Sequence, residues 1–98
     1  MSSLSSAVEV LKRLRRCGFD AHRYYAENGE LDAIGYTRCR RGLWDVVLVY
    51  SSREALGYRV RADDFNQDDP FVIRPGAQLW RVQDCPATVV TGVLALSA

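Results

Sequence analysis

The sequence predicts an α+β domain, from a helical-period apolar stripe at the N-terminus, short alternating stretches between turn signals, and a second apolar helical stretch at the C-terminus. The implied order is α-β-β-β-β-loop-β-α, a mainly antiparallel sheet of about five strands with a helix at each terminus. With 98 residues, 48% of them hydrophobic, the chain supports one core and one domain over residues 1–98.

Leu4, Ala7, Val8, Leu11 and Leu14 recur at helical spacing, which predicts an amphipathic helix from Ser5 to Cys17, after a flexible start at residues 1–4. Gly18 ends it, and Lys12, Arg13, Arg15 and Arg16 place positive charge at its C-terminal dipole. Asn28-Gly29 then predicts a two-residue type I′ turn joining strands Phe19 to Ala26 and Leu31 to Arg38. In that register Phe19, Ala21, Tyr25, Ile34 and Tyr36 share a core face. His22, Tyr24, Leu31, Ala33 and Gly35 share the other, which is less polar than a solvated face should be.

Leu43 to Tyr50 sets Trp44, Val46, Leu48 and Tyr50 against Leu43, Asp45, Val47 and Val49. Apart from Asp45 both sets are apolar, so this strand is expected to be covered on both sides. One helix on each face would do this; two helices on one face would leave an apolar surface for a partner. Ser51 to Gly57 reads as a turn and Tyr58 to Arg61 as a strand. Residues 62–77, with Asp63, Asp64, Asp68 and Asp69 beside three turn-forming residues, read as a long acidic loop exposed to solvent. Gln78 to Gln83 reads as the last strand. Asp84 is then expected to cap a helix with Pro86 in its first turn and an apolar face of Val89, Val90, Val93 and Leu94.

No motif specifies chemistry. His22 is the sole histidine and has no recognisable nucleophile pattern around it, so no catalytic residue is assigned. Cys17, Cys39 and Cys85 lack zinc-site spacing and suit reduced thiols, and the predicted metal set is empty. Asp64, Asn66 and Asp68 imitate the start of a calcium loop, but Asp69 and Pro75 stand where glycine and glutamate are required. The glycine-rich phosphate cradles are absent, and no cofactor is expected.

The charge balance, 13 Lys and Arg against 12 Asp and Glu, provides no global attraction to polyanions. No apolar run approaches the roughly 20 residues of a membrane span. With no secretory-signal pattern at the N-terminus, the expected location is the cytoplasm, and the arginine-rich, lysine-poor composition suggests a GC-rich bacterial genome. The expected function is a noncatalytic protein-interaction module, either a homo-oligomer such as a dimer or an accessory subunit of a bacterial assembly. Its expected contacts are His22, Tyr24, Leu31 and Ala33, with Arg40 and Arg41 at the rim. The alternative is a small nucleic-acid-binding regulator that uses Arg13 and Arg16 at the helix end with Arg40 and Arg41 in a turn.

Overall fold

The computed structural model describes residues 3–66 and 68–97, the first five of them as backbone only. Its elements are α1 (Ser3–Arg16), β1 (Asp20–Tyr25), β2 (Leu31–Arg40), β3 (Leu43–Val49), β4 (Ala55–Arg61), a short 3-10 turn (Ala62–Asp64), β5 (Trp80–Asp84) and α2 (Pro86–Leu94). The strands form one antiparallel meander in the order β1-β2-β3-β4-β5, so the predicted α+β architecture is borne out. Helix α1 begins two residues earlier than the apolar spacing predicts. Of the start expected to be flexible, Ser3 and Leu4 have helical backbone, and Met1 and Ser2 lie outside the described residues. The side chains of Leu4 and Ala7 lie outside them too.

The first hairpin departs from the prediction at its turn but keeps the predicted register. The Ala26 amide donates to the Glu30 carbonyl, which leaves a three-residue loop in which Gly29 alone takes a positive φ. The Asn28 side chain accepts from the Glu30 amide and braces the loop. The added residue is cancelled by a register shift between Tyr24 and Tyr25, so that Ala21 still pairs with Tyr36 and Arg23 with Ile34. The two-residue turn with both residues left-handed occurs instead at Arg41-Gly42, with φ of 52° and 76°, between β2 and β3.

β4 begins at Ala55, inside the stretch read as a turn. Ala55, Leu56 and Gly57 are paired on both sides, to β3 and to β5, which makes them central strand despite the glycine. The turn is confined to residues 50–54, where the Ser51 hydroxyl accepts from the Arg53 and Glu54 amides. At the other end of β5, Cys85 is the N-cap of α2, not Asp84. The Asp84 carboxylate accepts instead from the Cys85 amide.

Both helices pack on one face of the sheet. Leu14, Phe19, Tyr36, Val47, Val49 and Ala55 form a core with Val89, Val90 and Val93 of α2. The opposite face, built from Val46, Leu48, Leu56, Tyr58 and Val60, is covered by the segment that reads from sequence as a solvated acidic loop. Phe65 stacks on Trp44 at 4.7 Å, and Phe71 meets Tyr24 edge-on at 5.2 Å. The Tyr58 hydroxyl donates to the Pro70 carbonyl at 2.6 Å. Residues 62–66 and 68–77 thus form a strap that lays Phe65, Ile73 and Ala77 against the sheet, while Asp63, Asp68, Asp69 and Val72 remain exposed. The two-sided middle strand is satisfied within one chain, by helices on one side and a strap on the other.

Candidate interaction surface

The two ends of the sheet differ in chemistry, and the difference begins with Asp45. Register places Arg38, Asp45 and Arg59 in one row across β2, β3 and β4, with Arg40 in the next row, all on the helix face. Asp45 is 1% exposed. Its carboxylate accepts from Arg59 Nε at 2.6 Å, Arg59 Nη2 at 3.1 Å and Arg38 Nη2 at 3.3 Å, and Arg40 Nη2 stands 3.7 Å away. The hydrogen bond to Asp45 raises the Arg59 pKa against the opposing effect of burial.

The same guanidiniums reach the helix ends. Arg38 donates to the Cys17 carbonyl after α1, while Arg40 and Arg59 donate to the Leu96 and Ser97 carbonyls after α2. Both helices point their C-termini here, where each dipole presents roughly half a negative charge. Three positive charges therefore meet one carboxylate and two dipole ends, and the arginines bind backbone carbonyls of the residues that follow each helix. Arg38 also lies 4.4 Å above the Phe19 ring. This cluster is a structural clamp, and sequence reading missed it. Its signal was present: a lone aspartate in an apolar strand, whose cross-strand neighbours in the correct register are both arginines.

At the opposite end of the sheet, where the first hairpin and the turn at residues 50–54 lie, several large apolar side chains are open to solvent. Val8 is 43% exposed, Tyr25 59% and Leu31 51%. Between α1 and this end lies a groove of about 280 Å³ lined by Val8, Leu11, Leu31, Ile34, Val49 and Tyr50, with Asp32 as its one charged group. It continues along α1 past Lys12, Arg15 and Tyr36. The groove exists because the helices lie over the middle strands and leave β1 uncovered: of its six residues, only Tyr24 is even half-buried.

The predicted contact residues are therefore separated. Leu31 is exposed at the groove, and His22 is exposed on β1. Tyr24 lies across Gly35 and against Phe71, beneath the strap. Ala33 also lines the groove but is only 2% exposed. Arg40, expected in a turn, is instead the last residue of β2, half-buried in the clamp at the far end of the sheet, and only Arg41 next to it lies in the turn, exposed. Of the alternative set, Arg13 and Arg16 are exposed on the last turns of α1. The Arg38 bond to Cys17 brings that helix end to the same end of the sheet as Arg40 and Arg41. Val8 and Tyr25 were missed as exposed positions, because helical and strand periodicity assign them to a core that the position of α1 leaves uncovered.

Among the described residues no cluster of three or more His, Cys, Asp or Glu side chains could hold a metal ion. All three cysteines are free, and among the described residues no helix is long and apolar enough to cross a membrane. No protein-family model, curated protein or solved structure matches the chain.

Proposed function

We propose that this chain is a noncatalytic protein-interaction module of the bacterial cytoplasm, acting as a homo-oligomer or as an accessory subunit. The observation that carries the reading is the uncovered apolar surface of Val8, Tyr25 and Leu31 around the α1 groove. Both faces of the central strands have their own covers, so this patch is not an unfinished core, and contiguous apolar surface of this kind marks interaction sites. Its chemistry suits binding: the lining is mainly aliphatic and aromatic, with Asp32 as its one charged group and the hydroxyls of Tyr50, Ser51 and Ser52 as further polar groups. Placing a photoreactive benzoylphenylalanine at Leu31 in the native host tests it. The expected result is a covalent adduct with a polypeptide, from another copy or another protein, that a probe at Asp68 on the strap does not form. Equal labelling at both positions, or none at Leu31, would refute it.

A second reading, nucleic-acid binding, draws support from the gathering of Arg13, Arg16, Arg40 and Arg41 at one end of the sheet. Arg40 is already engaged by the Leu96 carbonyl and Asp45, which leaves Arg13, Arg16 and Arg41 to meet phosphates. Such binding would fall steeply with salt and weaken on Arg41→Ala.

A further inference from the structure

The α1 groove changes sign along its length. At the hairpin end it is bordered by Asp32 in the lining and by the exposed Glu30 and Glu27 of the adjoining turn. Further along it passes Lys12, which pairs with the neighbouring Glu9 at 3.4 Å, and Arg15 of α1, both exposed, and Arg23 projects from the paired position beside Ile34 on the uncovered face of β1. Arg15 and Arg23 are near enough to the Tyr36 hydroxyl to oppose the upward push that burial gives it. Between the two ends run Val8, Leu11, Ile34 and Tyr36. The surface is thus an apolar strip with an acidic head and a basic tail.

A self-complementary contact about a two-fold axis perpendicular to such a strip reverses its direction, so that every residue meets the partner's counterpart from the opposite end. Acidic heads then face basic tails twice. An axis parallel to the strip would oppose like charges instead, which selects the first arrangement. We propose that two copies of this chain pair through the α1 groove about that perpendicular two-fold axis, with Glu30 and Asp32 of each set against Lys12 and Arg15 of the other. The uncovered face of β1 leaves room beside α1 for the second helix. This assignment rests on reading the chain as an interaction module and names its partner as itself.

Sedimentation equilibrium of the full chain across micromolar concentrations, with two charge-reversed variants, tests it. Wild type is expected at twice the chain mass, with association weakened by salt. Lys12→Glu with Arg15→Glu makes the strip acidic at both ends, and Glu30→Lys with Asp32→Lys makes it basic at both. Each variant alone is expected to be monomeric, and an equimolar mixture is expected to recover the dimer as a heterodimer. All four positions are exposed, and circular dichroism melts check the fold. Should a reversal disturb it, Leu31→Ser offers a charge-neutral probe, with the dimer dissociation constant expected to rise about tenfold.

A monomeric wild type, a dimer that persists in both reversed variants, or a mixture that stays monomeric would each overturn the pairing. The interaction-module reading fails separately. A strictly monomeric chain that still forms an adduct at Leu31 with a different polypeptide would overturn this inference and retain that reading.

Discussion

Replacing Asp45 with alanine would leave three guanidiniums facing one another in a buried site, and removing one partner of a buried ion pair costs about 3–5 kcal/mol. A loss of that size in urea unfolding of Asp45→Ala is expected. Tyr58 makes a comparable test on the other face. Its hydroxyl holds the Pro70 carbonyl in a buried bond, so Tyr58→Phe should cost about 1–2 kcal/mol. Burial pushes the Tyr58 pKa well above the usual tyrosine value near 10. The folded state then keeps a proton that the unfolded state releases. Stability from this group is present in full below about pH 10 and falls above it, with a limiting slope of about 1.4 kcal/mol per pH unit. Tyr24, Tyr36 and Tyr50 are raised as well and act in the same direction. Urea midpoints between pH 9 and 11 should therefore decline in wild type and decline less in Tyr58→Phe. At this scale Asp45 was legible in the sequence as an exception in an apolar strand. Its role was not, because Arg38 and Arg59 become its neighbours only once two strand registers are set.

Most elements were legible because periodicity reports burial directly: α1, both strands of the first hairpin, β3, β5 and α2 all fall where alternation or helical spacing places them. The failures share a cause. Asn28-Gly29 carries the local preference for a two-residue turn, but one extra loop residue and a compensating bulge reach the same register by another route. At residues 55–57 glycine suggests irregular backbone where tertiary contacts make a strand, and at residues 62–77 the backbone is irregular as expected but charge and proline conceal the side chains that pack on the sheet. Gly57 is needed because α2 and Trp80 press on β4: a Cβ there would lie 2.6 Å from Val89 Cγ1 and 3.1 Å from the indole. Gly57→Ala should lower stability by about 1–3 kcal/mol in thermal or urea unfolding, although alanine has the better intrinsic fit to regular structure. An unchanged or raised midpoint would show that α2 can shift to accept the methyl group. The same indole lies against Gly92, with a Cβ position 2.8 Å away, which accounts for the weak helix former in the middle of α2.

At the scale of the whole molecule, the sequence conveyed the two-sided demand of the middle strand but not what meets it. Hydrophobic pattern states that both faces are buried. It does not distinguish a helix, a second chain or an irregular strap, since each removes the same area from water. The candidate surface was legible only in Leu31 and the hairpin, because the groove is produced by where α1 comes to rest. The meander also fixes an order of events in folding. β1 to β4 each pair with their neighbour in the chain through short loops, whereas β5 joins the sheet only once the long connection of residues 62–79 is closed. The cover of its helix face, in contrast, joins the first element to the last, and the arginine clamp reaches the Leu96 and Ser97 carbonyls. In stopped-flow kinetics, Val46→Ala beside the tight Arg41-Gly42 turn should mainly slow folding, and Val90→Ala in α2 should mainly speed unfolding. A chain emerging from the ribosome would therefore carry a formed ribbon whose helix face lacks the cover of Val89, Val90 and Val93 until α2 is synthesised, and during that interval the bare part of that face, around Val47, is where a chaperone would bind.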